Sequence, residues 1–481
     1  MGLVPFAERK PRRPGRACVN AERMMDKVSR YIVISEETYT DETGQRLRLV
    51  YATRTARVMP VLPRVAAALL ADDVRSVPDV LLPGLRQAEV IVPAGEDELT
   101  AMVTRNRIAA SDPSIVQFIL LPATYCNMGC AYCGQEHLRG GLSPDHRNKV
   151  RARVLRAIRR DTTQEIKVDW FGAEPMMGFA AIRDLAPDFV QAADEVSVKY
   201  SSTMVTNGSL LTKRKLDILV GVCRVGNFDI TLDGPPDVHD VHRPLKSGQG
   251  SFWKIVSTIR EALDDPGYQR VNFDFRTNVD IHNQDRLAEY FDLMADLGFA
   301  RPNVTFSIAR VRPWGNDVSA IELSAMEFAE RELAWLDTIR RRGLSFSAVP
   351  KVAKQVTCPA VRLSGELISG TGNVFSCTDH PLVPEGERDH ALGHIADPGL
   401  PLFRPAGEFD GWHDEVLAGK SGCRACVFYP TCGGACPKAW REGNPPCPSY
   451  KFNIQGRLGY LAAQAGLRPA EKGSSGEASQ E

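Results

Sequence analysis

The sequence predicts an α/β protein whose largest part is a partial (β/α)6 barrel, and two observations lead to this fold class. Between residues 115 and 342, short apolar segments of strand length alternate six times with longer segments of helical periodicity. Polar or glycine-containing motifs follow directly after several strands, which is the edge where α/β folds carry their sites. Repeated strand–helix units give parallel strands. Six units do not fill an eight-stranded barrel, so we expect an open side that admits a large substrate.

Each element of the barrel follows in order along the chain. The first strand is an apolar run that indicates a buried strand. The predicted strands cover residues 115–121, 165–171, 200–205, 228–232, 271–279 and 304–311. The predicted helices cover residues 143–160, 213–222, 252–263, 285–297 and 325–342, with a further helix that follows the second strand and ends near residue 196.

The segment before the barrel predicts a small α+β domain. Apolar residues alternate at 31–35 and 47–52 and predict a hairpin, and helices at 62–71 and 80–88 lead to a strand at 89–92. The chain thus divides into a disordered basic arm (1–25), a small α+β domain (26–112), the barrel (113–345), a cysteine-rich domain (346–455) and a C-terminal helix with a disordered tail (456–481). Met24 and Met25 precede the first regular pattern, which leaves a later start codon open.

Composition and charge narrow the class of protein. The 481 residues contain 43% hydrophobic and 25% charged residues with a net charge of zero, so nothing favours nucleic acid or an anionic membrane as a partner. No apolar run approaches the roughly 20 residues of a transmembrane helix. The 12 cysteines are grouped, which in a chain of this length indicates metal binding in a reducing cytoplasm rather than a secreted disulfide scaffold.

Three of these cysteines lie on one loop after the first predicted strand. Cys126, Cys130 and Cys133 have the spacing C-x3-C-x2-C. Thiolates at this spacing suit an iron–sulfur cluster, and three ligands leave one iron open for chemistry. A structural zinc site is the alternative, since His137 lies four residues after Cys133 and could be a fourth ligand.

The cysteine loop resembles the signature of the radical S-adenosylmethionine (SAM) family. The resemblance implies a [4Fe-4S] cluster on the three cysteines, with SAM chelated at the open iron and cleaved to a 5′-deoxyadenosyl radical that abstracts hydrogen. Tyr132 matches the aromatic that the family packs on adenine.

The same resemblance extends to the ends of the next strands. Gly172-Ala173-Glu174-Pro175 differs by one residue from the family's Gly-Gly-Glu-Pro, which approaches the methionyl ammonium; the alanine should be tolerated if its φ is negative. Asn207, Asp233 and Arg243 match positions around the ribose and methionyl groups, and Arg243 is expected to hold the SAM carboxylate. His239 and His242 are expected to support this site rather than to bind a metal.

Seven further cysteines resemble the SPASM domain of radical SAM maturases. The central run is C-x2-C-x5-C-x3-C. The resemblance implies two auxiliary [4Fe-4S] clusters, one on Cys358, Cys377 and Cys436 and another on Cys423, Cys426, Cys432 and Cys447. Some maturases have an eighth cysteine where this chain has Val352, so the first auxiliary cluster is expected to lack a fourth thiolate. Asp379 or His380 could replace that thiolate, or the open iron could face substrate. A zinc ribbon is the alternative for this module.

The predicted activity is the modification of an unactivated C–H bond of a ribosomally synthesised peptide, giving a crosslink, a thioether or an epimer. Asp379 is the candidate catalytic residue, as acceptor of the proton that a substrate radical loses. A precursor peptide or protein is the expected partner, with flavodoxin or ferredoxin as reductant, and residues 26–112 are expected either to bind a leader peptide or to pack against the barrel. The alternatives are an anaerobic sulfatase-type maturase that forms formylglycine, disfavoured because its aspartate would directly follow Cys377, and a non-catalytic iron–sulfur electron carrier.

Overall fold

A computed structural model describes residues 26–383 and 386–471 of the chain. The predicted basic arm and the polar tail from residue 472 onward lie outside the described residues. Within them the strands form three sheets, of which the largest has nine strands. No helix in the described part of the chain is both long enough and apolar enough to cross a membrane.

The N-terminal domain contains the predicted hairpin. Its strands are β1 (Asp26–Val28), β2 (Ile32–Ile34), β3 (Tyr39–Thr40), β4 (Arg46–Ala52), β5 (Arg57–Val61) and β6 (Ile91–Pro93). Its helices are α1 (Pro63–Leu70), α2 (Leu82–Gln87) and α3 (Glu98–Ser111). The central strand β4 pairs antiparallel with β2 on one edge and with β5 on the other, and its apolar face packs against α1.

Helix α3 was not predicted, because its sequence carries little apolar periodicity. Its first residue, Glu98, is buried and forms an ion pair of 3.1 Å with Arg54, which is itself 3% exposed. Glu89 and Glu96 complete the surroundings of the Arg54 guanidinium at 2.5 and 2.7 Å. Such a buried charge is tolerated only when it is paired, so tertiary contacts rather than a hydrophobic stripe place this helix.

The barrel has the six predicted parallel strands. They are β7 (Ile115–Leu120), β8 (Glu165–Trp170), β9 (Lys199–Thr206), β10 (Asn227–Thr231), β11 (Asn272–Val279) and β12 (Val304–Arg310). Each pairs in parallel with the next, from β7 to β12. The helices between and after them are α4 (Pro144–Ile158), α5 (Phe179–Glu195), α6 (Lys213–Gly221), α7 (Pro236–His242), α8 (Phe252–Leu263), α9 (Leu287–Asp296) and α10 (Ala325–Arg341).

One hydrophobic core fills the space between these strands and helices. Trp170, Phe118, Phe228 and Phe273 are among its largest fully buried side chains. Truncation of such an aromatic costs about 3–5 kcal/mol because a cavity is left behind. The carboxyl ends of the strands are thereby held at one rim of a rigid scaffold.

The cysteine-rich module extends the barrel sheet instead of forming a separate one. Its strand β13 (Gly365–Ile368) pairs in parallel with β7, and the antiparallel strands β14 (Asn373–Phe375) and β15 (Gly393–His394) follow at that edge. The sheet order is β12-β11-β10-β9-β8-β7-β13-β14-β15. The remaining elements of the chain are α11 (Gly386–Asp389), α12 (Trp412–Leu417), α13 (Tyr429–Cys432), α14 (Pro437–Arg441), α15 (Tyr450–Gln464) and β16 (Arg468–Pro469). The module is thus fixed to the strand that leads into the cysteine loop.

The N-terminal domain packs on the cysteine-rich module. Tyr31, Leu99 and Met102 share one buried cluster with Trp412 and Tyr429. The strand β16 from the C-terminus pairs with β3, which ties the two ends of the described chain together. The N-terminal domain therefore covers apolar side chains of the module.

Candidate functional site

The cysteine loop lies at the carboxyl end of β7, and hydrogen bonds to its backbone hold it in place. The Cys133 amide donates to the Cys130 carbonyl at 3.1 Å, and the Met128 amide donates to the Cys126 thiol at 3.4 Å. Lys246 Nζ donates to the Cys126 carbonyl at 3.0 Å from the segment after α7. Hydrogen bonds within the loop and from the segment after α7 therefore hold the loop in this shape.

The thiols of this loop fit an iron–sulfur cluster. Burial raises the pKa of Cys126 to about 11, and burial likewise raises the pKa of Cys130. The charge of Cys130 contributes to the raised pKa of Cys126, and the charge of Cys133 contributes to that of Cys130. The three sulfur atoms therefore lie close together. Buried thiols with raised pKa values lose their protons readily only to a bound cation, which deprotonates its thiol ligands. Cys126, Cys130 and Cys133 would hold the cluster.

Tyr132 is held at the barrel rim by a carboxylate from β10. Its hydroxyl donates to Asp233 Oδ2 at 2.7 Å and accepts hydrogen bonds from Arg243 and, at 3.2 Å, from Asn278. Its ring lies 4.9 Å from the His242 ring, centroid to centroid. The predicted stacking of Tyr132 on adenine stays a prediction.

Asp233 is fully buried, and both of its carboxylate oxygens accept hydrogen bonds. Its Oδ1 accepts the Asn278 amide at 2.8 Å, and its Oδ2 lies 3.0 Å from His242 Nδ1 and 3.6 Å from Arg243. Burial alone raises the pKa of Asp233, but the charge of Arg243 and the hydrogen bond with His242 outweigh it and lower the pKa to about 2. Asp233 is thus a charged anchor for the loop, and its predicted contact with SAM stays untested.

His242 and Asp280 complete this network, and no motif in the sequence pointed to Asp280. His242 bridges Asp233 and Asp280, whose Oδ2 lies 2.8 Å from His242 Nε2. Burial lowers the pKa of His242, but the hydrogen bonds with both carboxylates raise it to about 9. His239 is different, since burial and the charge of Arg243 lower its pKa to about 4. Both histidines lie on α7 and contact Asp233: its amide donates to His239 Nδ1 at 3.2 Å, and its carboxylate bonds with His242.

Glu174 and Asn207 join the ends of β8 and β9. The buried Glu174 carboxylate accepts the Met176 amide at 2.9 Å, the Thr206 hydroxyl at 2.7 Å and the Asn207 amide at 2.7 Å. The Asn207 side chain donates to Asn127 Oδ1 at 2.9 Å and lies 3.7 Å from the Cys126 sulfur. These two residues therefore connect the second and third strand ends to the cysteine loop.

The condition under which alanine was expected to be tolerated at position 173, a negative φ, is not met. The φ of Ala173 is +46°, and that of Gly172 is +83°. A side chain on Gly172 would lie 2.3 Å from Leu121, so this position requires glycine. Ala173 keeps its left-handed conformation at a cost of about 1 kcal/mol, and its amide donates to Gln135 Oε1 at 3.2 Å. The bond joins the Gly-Ala-Glu-Pro turn to the cysteine loop.

The second set of auxiliary cysteines lies around one small apolar pocket. Cys423, Cys426, Cys432 and Cys447 all line it, together with Phe428, Tyr429, Trp440 and Lys451. Lys451 Nζ lies 3.3 Å from the Cys447 sulfur. Four thiols grouped around one space fit the proposed auxiliary cluster.

The first set lies around a larger cavity of about 440 Å³ between the module and the barrel. Cys358, Cys377 and Cys436 line it, and so does Asp379. The cavity also reaches Arg276, which lies within β11, and Arg310, which is the last residue of β12. The three predicted ligands are thus brought together at a space that opens toward the barrel rim.

Of the two candidate fourth ligands, only Asp379 lines this cavity. Asp379 Oδ2 lies 3.7 Å from Arg312, and its amide donates to the Cys377 thiol at 3.4 Å. His380 instead lies 3.2 Å from Glu408 through its Nε2 and stacks on His390 at 4.0 Å. Arg312 was missed by sequence reasoning, because it follows the last barrel strand in a loop without a motif.

Comparison with known proteins agrees with this geometry. Residues 120–294 match the Radical SAM superfamily. The chain is 28% identical over 359 residues to a serine-type anaerobic sulfatase-maturating enzyme of Bacteroides thetaiotaomicron, covering 65% of this chain and 80% of that enzyme. It is 27% identical over 146 residues to an uncharacterised protein of Synechocystis, covering 28% of this chain and 34% of that protein.

The fold is similar to a solved structure of native anSMEcpe with bound AdoMet and Cp18Cys peptide. The TM-score is 0.55 at 13% identity, over 73% of this chain and 98% of that one. The superfamily match begins at the end of β7 and ends within α9, so it includes the cysteine loop, Glu174 and Asp233.

Proposed function

We propose that this protein is a radical SAM enzyme of the maturase class that modifies an unactivated C–H bond of a ribosomally synthesised peptide. When bound, a [4Fe-4S] cluster on Cys126, Cys130 and Cys133 supplies the electron that cleaves SAM and yields the 5′-deoxyadenosyl radical. The observation that supports the proposal best is the 440 Å³ cavity, because cysteines of the module and strand ends of the barrel line the same space. A peptide entering there would meet both.

The residues of the chain have separate roles in this proposal. Tyr132, Asp233 and Arg243 hold the cysteine loop and form the rim on which SAM would lie. Glu174 and Asn207 fix the turn that approaches its methionyl group. Asp379, which lies 3.7 Å from Arg312, would accept the proton released when the substrate radical forms a new bond. A cluster held by Cys358, Cys377 and Cys436 would supply the acceptor for the electron that the radical loses in the same step. The two auxiliary pockets would hold one cluster each.

A reconstituted enzyme tests the proposal. Short open reading frames beside the gene supply candidate precursor peptides, which are incubated with enzyme, SAM and a reductant such as flavodoxin or ferredoxin. We expect 5′-deoxyadenosine together with a peptide that has lost two hydrogens, or that carries solvent deuterium if the product is an epimer. A preparation that forms no 5′-deoxyadenosine would contradict the proposal.

Formation of formylglycine in a sulfatase is the second candidate. The relative from B. thetaiotaomicron favours it. The order Cys377-Thr378-Asp379 places the aspartate one residue later than that class does, yet Thr378 and Asp379 both line the cavity. Conversion of a serine or cysteine in a sulfatase peptide to formylglycine, with no change in the neighbouring precursors, would favour this candidate.

The N-terminal domain is proposed to bind the leader of the precursor. Among the described strands, β5 pairs only with β4, so its outer edge is free to receive an extended peptide. Removal of residues 1–110 would expose Trp412 and Tyr429, and insolubility is therefore expected of that truncation. A charge reversal at the exposed Arg57 of β5, Arg57→Glu, should instead lower the affinity for a labelled precursor, measured by fluorescence anisotropy, and leave SAM cleavage unchanged.

A reducing, cytoplasmic setting is proposed from the cysteines. All 11 cysteines that the structure describes are free thiols. Clusters of free thiols persist where glutathione keeps them reduced.

A further inference from the structure

A further group of metal-ligating side chains lies outside the cysteine loop and the two auxiliary pockets. It consists of His380, His390 and Glu408, whose ring nitrogens and carboxylate oxygen all lie within 4.8 Å of one another. None of these three residues lines the cavity of the first auxiliary set. His380 was a candidate fourth ligand for that set, but its side chain faces Glu408 instead. The group therefore needs an explanation of its own.

The distances within the group fit a bound metal ion better than direct hydrogen bonds. His380 Nε2 lies 3.2 Å and His390 Nδ1 lies 3.4 Å from the same oxygen of Glu408, Oε1. Hydrogen bonds between an imidazolium and a carboxylate are usually shorter, at about 2.7–2.9 Å. Ligand atoms that each lie about 2.0–2.2 Å from a tetrahedral zinc ion are about 3.3–3.6 Å apart. Both distances to Glu408 are close to this spacing.

The two imidazoles present nitrogen atoms to the carboxylate side by side. Their rings stack at 4.0 Å, centroid to centroid, with planes 20° apart. His380 is 3% exposed, and its other ring nitrogen, Nδ1, has no hydrogen-bond partner among the residues that the structure describes. Burial and the charge of His390 lower the pKa of His380 to about 3, so its ring is neutral at pH 7 and keeps a lone pair for a cation.

Arg441 holds the carboxylate of Glu408 in its orientation. It lies 3.3 Å from Oε2 and donates to the Glu408 carbonyl at 2.7 Å, so Oε1 is left facing the histidines. Carboxylates that bind metals are commonly fixed by such an outer hydrogen bond. Arg441 is the last residue of α14, which begins directly after Cys436, and His380 follows Cys377 by three residues. The group thus joins two segments that carry proposed ligands of the first auxiliary cluster.

We propose that His380, His390 and Glu408 bind a divalent transition-metal ion, with zinc as the preferred ion. Two imidazole nitrogens and one carboxylate oxygen are ordinary zinc ligands, and three protein ligands leave a fourth position for water. The side chains of His390 and Glu408 are 44% and 35% exposed, so the ion can enter from solvent. The ion would tie the turn after Cys377 to Glu408 and, through Arg441, to α14. This inference goes beyond the proposed function and does not depend on it.

The experiment uses the tag-free, full-length enzyme with its iron–sulfur clusters reconstituted, so that zinc meets no vacant cysteines. One equivalent of Zn²⁺ is added without oxygen, unbound metal is removed by gel filtration, and zinc and iron are counted by mass spectrometry. X-ray absorption at the zinc edge identifies the neighbouring atoms, since zinc lies about 2.3 Å from sulfur but about 2.0–2.2 Å from nitrogen and oxygen. His380→Gln/His390→Gln is compared with His146→Gln/His394→Gln, which removes another pair of neighbouring imidazoles, 5.4 Å apart, from α4 and β15.

We expect one zinc ion per chain in the wild type and in the control pair, with nitrogen and oxygen neighbours only. His380→Gln/His390→Gln should bind zinc roughly a hundredfold more weakly, or worse, in competition with a chelator, because two of the three ligands are gone. Three results would overturn the proposal: a wild type that retains no zinc, zinc with sulfur neighbours, or zinc that is retained equally well by His380→Gln/His390→Gln.

A second variant covers the case in which loss of the buried His380 prevents folding. His390→Ala changes an exposed side chain and should by itself weaken zinc binding about tenfold or more, with unchanged iron content. An unchanged zinc affinity in this variant would contradict the proposal. The measurements need neither SAM nor a peptide, so a failure to form 5′-deoxyadenosine would count against the proposed function and not against the metal site.

Discussion

The strand ends around the cysteine loop, here called the SAM side because SAM is proposed to bind there, differ from the auxiliary cavity in how completely their polar side chains are hydrogen-bonded. On the SAM side, Glu174 accepts three hydrogen bonds and Asp233 accepts them on both oxygens. At the cavity, Asp379 has a 3.7 Å ion pair and a 3.3 Å contact with Thr378, while Arg276 keeps unbonded donors. A fully bonded site is built to hold one cofactor in one geometry, whereas a partly bonded cavity leaves groups free for a substrate.

The largest effect should come from removing the three cysteines of the loop. Changing Cys126, Cys130 and Cys133 to Ala should abolish 5′-deoxyadenosine and remove about four iron atoms per chain, because one whole cluster loses its ligands. The auxiliary pockets should keep their iron, since their cysteines lie in another part of the structure. Cys223→Ala, in the barrel core, is the control and should keep all of its iron. 5′-Deoxyadenosine from the triple variant would show that the open iron lies elsewhere.

Glu174→Ala should have the next largest effect. It tests the fully hydrogen-bonded residues on the SAM side of the barrel. It leaves the Thr206 hydroxyl and the amides of Met176 and Asn207 buried without their acceptor, and each such group costs about 1–3 kcal/mol. We expect the free energy of unfolding in urea to fall by about 3 kcal/mol or more and SAM cleavage to be lost. Glu174→Gln keeps an acceptor oxygen and should lie between the two. A fall below about 1 kcal/mol would show that water replaces the carboxylate.

The pH dependence of stability tests the pair of carboxylates around His242. The folded-state pKa of His242 is about 9, above its ordinary value of 6.5, so its protonated form stabilises the folded protein. That contribution is complete below pH 6.5 and is lost as the pH rises through 9. The free energy of unfolding of the wild type should therefore fall over this interval by up to about 3 kcal/mol more than that of His242→Gln. His282→Gln, an exposed histidine, should follow the wild type; equal slopes in all three proteins would contradict the assignment.

The smallest change in stability should come from Asp379→Asn. Its partners are a long ion pair and a weak hydroxyl contact, so the free energy of unfolding should change by less than about 0.5 kcal/mol. SAM cleavage without product should persist, while the yield of modified peptide should fall at least tenfold if Asp379 takes the substrate proton. Product formed at the normal rate would leave Asp379 with a structural role only.

Much of the barrel could be predicted because its elements are long and regular. The helix Phe252–Leu263 has the predicted bounds, and each of the six strands lies within two residues of its prediction. The groups of cysteines could also be predicted, since metal ligands on short loops leave a spacing in the sequence. The left-handed φ of Ala173 could not be predicted, because nothing in the Gly-Ala-Glu-Pro motif sets the sign of a backbone angle.

The sequence by itself determined the number of strand–helix units and which thiols lie near one another along the chain. Only the tertiary structure decided that β13 of the cysteine-rich module continues the barrel sheet beside β7, that Asp379 and not His380 faces the shared cavity, and that His242 lies between Asp233 and Asp280. The physical reason is the separation in sequence between the residues that each property involves. Periodicity and ligand spacing are local properties, whereas a parallel strand pair or a buried charge network joins residues far apart in sequence through packing that no local pattern records.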